Sequence, residues 1–336
     1  MILVTGGAGF IGSHTVVELL EAGYEIAVLD NLSNSSFESL RRVKQLTGKD
    51  FKFYEVDLLD YEATDKVFAE NDFEAVIHFA GLKAVGESVR MPLEYYHNNI
   101  TGTLNLCRIM RERGVKKMVF SSSATVYGMA KTVPVTEDMP TSTTNPYGST
   151  KLMIEQMLRD LVVSDDSWSI VLLRYFNPIG AHKSGMLGEN PNGIPNNIMP
   201  RLCGVLSGKL EQMTIFGTDY ETHDGTGVRD YIHVLDLAKG HIAALNKCKR
   251  DNGVFTYNLG TGVGYSVLDL IDTFSRVNNV QISKVIMPRR PGDVASLYAD
   301  CSKAKNELGW EAKLGLEDMC KDSYNFVKNN PNGYNA

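Results

Sequence analysis

The pair Tyr147 and Lys151 has the residue types and the spacing for acid–base chemistry. Residues four apart lie on one face of a helix, so the ammonium would stand one turn from the phenol. A free tyrosine has a pKa of about 10 and is a poor base at neutral pH. Because a neighbouring cation stabilises the phenolate, it lowers that pKa. The spacing predicts a proton-exchanging tyrosine, although a packed tyrosine beside an exposed lysine would share the pattern.

Hydroxyl side chains end a predicted strand upstream of this pair. Ser121, Ser122 and Ser123 follow the apolar run Lys117–Phe120, and Ser123 lies 24 residues before Tyr147. A serine beside a substrate hydroxyl can share its proton with the phenolate and hold the reacting geometry. The strand-end serine and the Tyr/Lys pair together favour catalysis over a purely structural role.

A glycine-rich turn follows the first predicted strand and opens a helix. The run from Gly6 to Gly12 reads GGAGFIG and satisfies G-x-x-G-x-x-G. Backbone without Cβ allows a tight turn and lets a pyrophosphate approach the helix N-terminus. Asp30 ends the second predicted strand, where a carboxylate accepts from a ribose 2′-hydroxyl and repels a 2′-phosphate. These residues predict NAD rather than NADP, although Asp30 could instead cap the loop at Asn31.

Two further strand ends support a bound dinucleotide. Asp57 follows the predicted strand Lys52–Val56, where an acid can accept from the adenine amino group. Ala80 and Gly81 follow the fourth strand and let a cofactor lie against backbone, while Lys83 can reach phosphate. Taken alone, Lys83 would be a solvated surface cation.

The elements that must position these residues alternate between strand and helix in the first half. The predicted strands are Ile2–Val4, Glu25–Leu29, Lys52–Val56, Ala75–Phe79, Lys117–Phe120 and Ser169–Leu173. Between them, Pro92–Arg113 is predicted as one helix with a single apolar face, formed by Leu93, Tyr96, Ile100, Leu104 and Cys107. Alternation of this kind predicts an α/β fold, a doubly wound parallel-sheet Rossmann domain over residues 1–175.

The second half, residues 176–336, differs from the first in composition and in the length of its predicted elements. Residues 175–197 are rich in Gly, Pro and Asn and predict a long, functional loop. Shorter elements follow at Ile198–Leu206, Met213–Phe216, Leu235–Asn246, Val254–Asn258, Val267–Val277, Ile282–Met287, Ser302–Leu308 and Leu316–Lys328. We expect a smaller C-terminal α/β lobe that binds substrate, with some segments returning to the Rossmann sheet.

Composition excludes several classes of protein. The net charge of −6 without a basic run makes nucleic acid an unlikely partner. Five cysteines without a C-x-x-C pair predict reduced thiols and no metal site. No apolar run approaches the ~18 residues of a membrane span, and Met1–Gly7 does not resemble a secretory signal. We expect a cytoplasmic protein that does not bind membranes.

Three segments resemble the extended short-chain dehydrogenase/reductases, and among them the UDP-glucose 4-epimerase family. They are Phe79–Ser88, Leu173–Pro178 and Asp224–Val234, and the likeness runs through nearly the whole chain. The resemblance implies reversible oxidation at sugar carbon 4 by tightly held NAD, interconverting UDP-glucose and UDP-galactose in galactose metabolism. Tyr147 would move the hydroxyl proton in both directions. The resemblance also implies a homodimer that meets through Pro92–Arg113 and the helix containing Tyr147.

The resemblance implies roles for individual residues. Ser123, Tyr147 and Lys151 would be catalytic. Contacts to NAD are implied for Gly6, Gly9, Phe10, Ile11, Gly12, Asp30, Asn31, Asn34, Ser35, Asp57, Leu58, Phe79, Ala80, Gly81, Lys83, Asn98, Ser123, Tyr147, Lys151 and Phe176. Contacts to the UDP-sugar are implied for Lys83, Ser123, Tyr147, Asn177, Asn197, Phe216, Arg229, Arg290, Asp293 and Leu297. Arg229 and Arg290 would hold the diphosphate, and Asp293 the ribose. Without the family, Arg290 would only pair with Asp293.

Several other activities are compatible with a fold of this kind. Sugar-nucleotide 4,6-dehydratases carry an Asp-Glu pair after the strand-end hydroxyl, whereas Ala124 and Thr125 stand here and cannot act as acids. A UDP-glucuronate decarboxylase, a net dehydrogenase and a silent NAD-binding regulator stay open. Leu297 is intermediate between the Tyr that excludes N-acetyl sugars in the family and the Cys or Ser that admits them. It predicts a preference for UDP-glucose and UDP-galactose, with weak use of N-acetyl sugars.

Overall fold

Strands and helices alternate through the first half of the computed structural model, which describes residues 1–334 except 192, 194, 196 and 291. The elements are β1 (Ile2–Thr5), α1 (Phe10–Glu21), β2 (Ile26–Asp30), α2 (Phe37–Thr47), β3 (Lys52–Glu55), α3 (Tyr61–Ala69), β4 (Ala75–His78), α4 (Val85–Arg90), α5 (Pro92–Tyr96), α6 (Gly102–Glu112), β5 (Lys117–Ser123), α7 (Pro146–Ser164), β6 (Ser169–Tyr175) and β7 (Asn177–Ile179). A π-helical turn, His97–Thr101, joins α5 to α6, and a 3₁₀ turn, Ala124–Tyr127, follows β5.

The second half contributes shorter elements. They are α8 (Ile198–Leu206), β8 (Met213–Phe216), β9 (Val228–Arg229), β10 (Tyr231–His233), α9 (Val234–Arg250), β11 (Gly253–Leu259), β12 (Tyr265–Ser266), α10 (Val267–Asn278), β13 (Lys284–Met287), β14 (Ser296–Leu297), α11 (Ser302–Leu308) and α12 (Leu316–Asn329). All eight elements predicted here occur within a few residues of their expected bounds.

Seven parallel strands form the main sheet, in the order β11-β6-β5-β4-β1-β2-β3. Its central strands are continuous apolar runs because helices cover both faces. One face packs against α1, α2 and α9, and the other against α3, α6 and α7. The predicted doubly wound α/β fold is confirmed. The carboxyl ends of β1, β2, β4, β5 and β6 meet at one edge, where ligands bind in sheets of this kind.

A second apolar cluster organises the smaller lobe. Side chains of α8, α10 and α12 pack there against β8 and β10. Short strand pairs surround it: β13 with β8, β10 with β7, and β9 with both β12 and β14. β11 comes from the second half but joins β6 in the main sheet, so the chain crosses between the two regions more than once. The division at residue 175 remains a prediction.

Two details of the sequence prediction were wrong. Pro92–Arg113 is not one regular helix, because the π-helical turn inserts an extra residue and rotates the buried face. Leu93 is therefore 77% exposed and Leu104 42% exposed, whereas Cys107 is buried. Residues 175–197 are not one loop either, since β7 pairs in parallel with β10. Among the residues described, no helix is both long and apolar enough to cross a bilayer.

Candidate active site

Tyr147 and Lys151 occupy the first two turns of α7. The helix starts here because the Asn145 side chain accepts from the Gly148 amide at 2.8 Å, and Pro146 suits the first turn. The Lys151 ammonium lies 5.9 Å from the centre of the Tyr147 ring and donates to the Ser121 carbonyl oxygen at 2.6 Å. The lysine thus links the catalytic helix to the end of β5.

Burial controls the protonation of both side chains. It raises the pKa of Tyr147 to about 12, and a hydrogen bond with Ser123 acts in the opposite direction. Burial also lowers the pKa of Lys151 to about 8, while the charge of Glu155 opposes that shift. Because desolvation disfavours charge at both groups, a phenolate at Tyr147 needs positive charge close by.

Ser123 is oriented by the turn that follows β5. Its Oγ accepts from the backbone N–H of Thr125 at 3.2 Å and from the Thr125 hydroxyl at 3.0 Å. Both bonds use the oxygen as acceptor, so the Ser123 proton is left to be donated toward Tyr147 or a substrate oxygen. Thr125, which occupies a position that is acidic in the dehydratases, here orients Ser123.

The glycine turn leaves no room for larger residues. Gly6 has φ +69°, and a Cβ at this position would lie 2.6 Å from the Ala80 nitrogen. A Cβ on Gly12 would lie 2.3 Å from the Gly6 oxygen. No side chain in the described part of the chain caps the start of α1 at Gly9. The close packing of β1, α1 and the end of β4 brings free helix N–H groups to the sheet edge, as an anion requires.

Asp30 and Asp57 shape the neighbouring loops. Asp30 accepts from the amides of Ala8 and Leu32 and from the Ser35 hydroxyl, each at 2.9 Å. Asp57 accepts from the Asn31 side chain at 2.9 Å. Asp30 therefore does cap its loop, the alternative that the sequence left open, and it also faces the cleft described next.

A cleft of about 340 Å³ opens at the carboxyl edge of the sheet. Every residue for which the family resemblance implies an NAD contact lines it, from Gly6 to Phe176. The predicted substrate residues Asn177 and Asn197 line it as well. The structure therefore brings the glycine turn and the Ser/Tyr/Lys group into a single cleft.

The other predicted substrate residues form a separate group outside the described lining of that cleft. Arg290 pairs with Asp293 at 2.8 Å and lies over the Phe216 ring at 4.8 Å. Leu297 stands opposite Arg229 in the β14–β9 pairing. Among the described residues, the Arg229 guanidinium donates only to backbone carbonyls, at 2.8 and 2.9 Å, and burial lowers its pKa. The roles of these five residues remain predictions.

Comparison with known proteins decides the family. The family model for GDP-mannose 4,6 dehydratase matches residues 3–323. The chain belongs to this family.

Relatives within the family share the length of the chain. UDP-glucose 4-epimerase of Bacillus subtilis is 65% identical over 100% of this chain and 99% of that protein. UDP-glucose 4-epimerase of Haemophilus influenzae is 60% identical over 99% of each chain. The crystal structure of UDP-glucose 4-epimerase from Bifidobacterium longum with NAD+ and UDP has a TM-score of 0.96 at 56% identity, covering 99% of each chain. The resemblance seen in the sequence is confirmed.

Asn99, Glu189 and Tyr175 are among the cleft residues of this family member that were not predicted from the sequence. Asn99, in the π-helical turn, donates to the Leu82 carbonyl and to Thr150, both at 3.0 Å. Glu189 accepts from Lys83 at 3.2 Å and from Asn197 at 3.0 Å. Tyr175 ends β6 and lines the cleft. A polar residue inside an apolar helix could have signalled Asn99, whereas Glu189 lies in a stretch without any period.

Proposed function

We propose that this protein interconverts UDP-glucose and UDP-galactose by inverting carbon 4 of the sugar. The observation that carries the proposal is the cleft that joins the glycine turn to Ser123, Tyr147 and Lys151. Relatives at 60–65% identity over the full chain are named UDP-glucose 4-epimerases. The proposal makes the protein an isomerase of galactose metabolism.

The residues of the cleft fit NAD. Gly6 and Gly12 leave backbone bare where a pyrophosphate would approach α1. Asp30 places a carboxylate beside the loop after β2, which favours a ribose hydroxyl over a 2′-phosphate. Bound NAD supplies reversible two-electron oxidation of sugar carbon 4.

Tyr147, Ser123 and Lys151 move and hold the proton. Tyr147 takes the proton of the 4-hydroxyl as carbon 4 is oxidised. It returns the proton after the 4-keto sugar has rotated to present its other face. Ser123 donates to the same oxygen and holds it near the phenol. The Lys151 ammonium, fixed by the Ser121 carbonyl, stabilises the phenolate between the two transfers.

The remaining substrate contacts follow the family resemblance. We assign Arg229 and Arg290 to the diphosphate, Asp293 to the ribose, and Asn177 and Asn197 to the rest of UDP. Arg290 would then exchange its contact with Asp293 for phosphate oxygens. Asp293 in turn would be released to accept from the ribose.

Elimination of water is disfavoured although the family is named for a dehydratase. Ala124 carries no acid, and the Thr125 hydroxyl is engaged with Ser123. Leu297 leaves N-acetyl sugars as weaker candidate substrates, and a structural neighbour at 39% identity, from Campylobacter jejuni, is titled a UDP-Glc/GlcNAc 4-epimerase. A UDP-glucuronate decarboxylase is the remaining alternative.

We also propose a cytoplasmic homodimer. All five cysteines are free thiols and four of them are buried, which suits a reducing compartment. Val89, Leu93, Leu104 and Met153 expose apolar side chains on α4, α5, α6 and α7. α4 and α5 both contact α7, and the π-helical turn contacts both α6 and α7, so the four helices pack as one group, which supports a shared apolar surface.

The test supplies the purified protein with NAD and UDP-galactose and resolves the sugar nucleotides by chromatography. We expect UDP-glucose to accumulate to equilibrium without steady formation of NADH. Tyr147→Phe should fold and keep its NAD but turn over roughly 10²–10⁴-fold more slowly. Faster turnover of UDP-N-acetylgalactosamine, decarboxylation of UDP-glucuronate or continuous NADH production would each overturn the assignment.

A further inference from the structure

A buried ion pair, Glu155 with Arg174, lies beneath the catalytic residues. Glu155 is on α7, one turn beyond Lys151, and Arg174 is on β6; both side chains are almost fully buried. Arg174 Nε donates to Glu155 Oε1 at 3.0 Å, and its Nη2 donates to Oε2 at 2.7 Å. This two-point contact fixes both side chains, as expected for a guanidinium and a carboxylate.

The carboxylate also holds the strand end that carries Ser123. The Ser122 hydroxyl donates to Glu155 Oε1 at 2.5 Å. Ser122 lies between Ser121, whose carbonyl binds Lys151, and Ser123. Glu155 and Lys151 therefore connect α7 by hydrogen bonds to two consecutive residues of β5. The distance from Tyr147 to Ser123 depends on both hydrogen bonds.

Arg174 extends the network along the sheet toward β11. Its Nη1 donates to the Tyr127 hydroxyl at 3.0 Å and to the Glu137 carbonyl at 3.1 Å. Tyr127 in turn donates to the Asn258 side chain on β11 at 2.6 Å. The buried guanidinium is thus satisfied by protein groups, and the network spans β5, β6, β11 and α7.

Few other charges face Lys151 from the elements packed around it. Within the described residues, α7 presents Tyr147, Glu155 and the partly exposed Arg159, whose guanidinium lies 3.5 Å from Glu155 Oε2. β6 presents Arg174 and Tyr175, and β4 presents His78. Burial lowers the pKa of His78 to about 3 and raises that of Tyr175, so both are neutral near pH 7. The end of β5 presents hydroxyls and a carbonyl. Glu155 is the carboxylate of this set, and its charge favours the protonated form of Lys151.

We propose that Glu155 is a positioning residue for the Ser123–Tyr147–Lys151 group, with Arg174 as its counter-charge. It holds the end of β5 against α7, and its charge sets the pH window of activity because it shifts the pH at which Lys151 and Tyr147 release their protons. This role rests on the proposed epimerase function.

The first test replaces the charge and keeps the shape, in Glu155→Gln. The amide oxygen can still accept from Ser122, but Tyr147 and Lys151 lose a nearby negative charge and release their protons more readily. We expect both limbs of the pH profile of kcat to move to lower pH, by about 1 unit. Asp236→Asn is the matched control, because Asp236 is a buried carboxylate outside the described cleft lining, on α9, and this variant should leave the window unmoved.

Two further variants separate charge from position. Glu155→Gln combined with Arg174→Met removes the two paired charges and leaves the partly exposed Arg159, so its window should return part of the way toward that of the parent. Ser122→Ala removes the hydrogen bond from Ser122 to Glu155 and keeps the charge of Glu155. We therefore expect kcat to fall about tenfold, with KM and the pH window unchanged. An unmoved window in Glu155→Gln, or a parental kcat in Ser122→Ala, would overturn the proposal.

A readout without turnover keeps this proposal distinct from the function on which it rests. Ionisation of Tyr147 can be titrated by ultraviolet difference absorbance between each protein and its Tyr147→Phe counterpart. We expect the Tyr147 phenolate to form at lower pH in Glu155→Gln than in the parent. A parent that titrates as expected but does not epimerise would refute the function alone, whereas an unshifted titration in an active enzyme would refute the role of Glu155.

Discussion

At the scale of residues, burial in the cleft disfavours the charged forms of Tyr147 and Lys151 that the proposed chemistry needs. Burial raises the pKa of Tyr147 to about 12 and lowers that of Lys151 to about 8. A phenolate and an ammonium are each costly there alone, and together they stabilise one another. The fixed contact of Lys151 with Ser121 keeps the cation one turn from the phenol. The pair therefore acts as a unit whose protonation is coupled.

Removing that cation gives a prediction with a definite sign. In Lys151→Met the phenolate loses its stabilising charge, so the pKa of Tyr147 rises and more alkaline solution is needed to ionise it. We expect the acid limb of the kcat profile to move to higher pH, while Lys151→Arg, which keeps the charge, should stay nearer the parent. An acid limb unmoved in Lys151→Met would mean that Lys151 does not tune the tyrosine.

At the scale of elements, the site exists because several segments end at one edge of the sheet. β1 delivers the glycine turn, β4 delivers Ala80 and Gly81, and β5 delivers Ser123 opposite α7. The approach of β1 and β4 is so close that Gly6 and Ala80 are in backbone contact. The geometry of the cofactor site is thus a property of strand packing more than of any single side chain.

Gly12→Ala tests this packing. Its Cβ would lie 2.3 Å from the Gly6 oxygen and 2.8 Å from the Gly7 Cα, both backbone atoms. The turn must shift, which we expect to cost about 1–3 kcal/mol of folding free energy and to lower the NAD that copurifies. Gly86→Ala is the control, because its Cβ would meet no atom of a described residue within 4 Å. Parental NAD content and melting temperature in Gly12→Ala would contradict the prediction.

Sequence patterns predicted these elements where local chemistry decides them. Apolar runs identified every strand of the main sheet, and the spacing of Tyr147 and Lys151 placed both on α7. The π-helical turn at His97–Thr101 went unseen because no composition marks an extra residue in a helix, and its rotation changed which side chains are buried. The partners of Glu155 and Glu189 depend on contacts between distant segments, which periodicity does not encode.

At the scale of the whole molecule, the apolar helical surface is the feature to explain. Leu93 is 77% exposed and Val89 62% exposed, on adjacent helices that pack beside the catalytic α7. Large apolar side chains in one exposed patch mark association sites in soluble proteins. A dimer formed there would contact the outer side of the helix that carries Tyr147.

Leu93→Asp tests the dimer. A charge in this patch would have to be buried in the complex, so we expect the variant to be monomeric by light scattering where the parent is dimeric. Ile286→Asp, at a similarly exposed apolar position on β13 in the smaller lobe, should remain dimeric. A parent of monomeric mass, or two variants that both stay dimeric, would contradict the proposed interface.

At the scale of the reaction, inversion at sugar carbon 4 by this mechanism requires that the hydrogen on carbon 4 leaves and returns within one protein-bound cycle. The direct measurement uses UDP-galactose deuterated at carbon 4, converted in ordinary water with added unlabelled NAD. We predict UDP-glucose that retains the deuterium at carbon 4, while the free NAD stays unlabelled. Loss of the deuterium to water, or its appearance in released NADH, would contradict the mechanism.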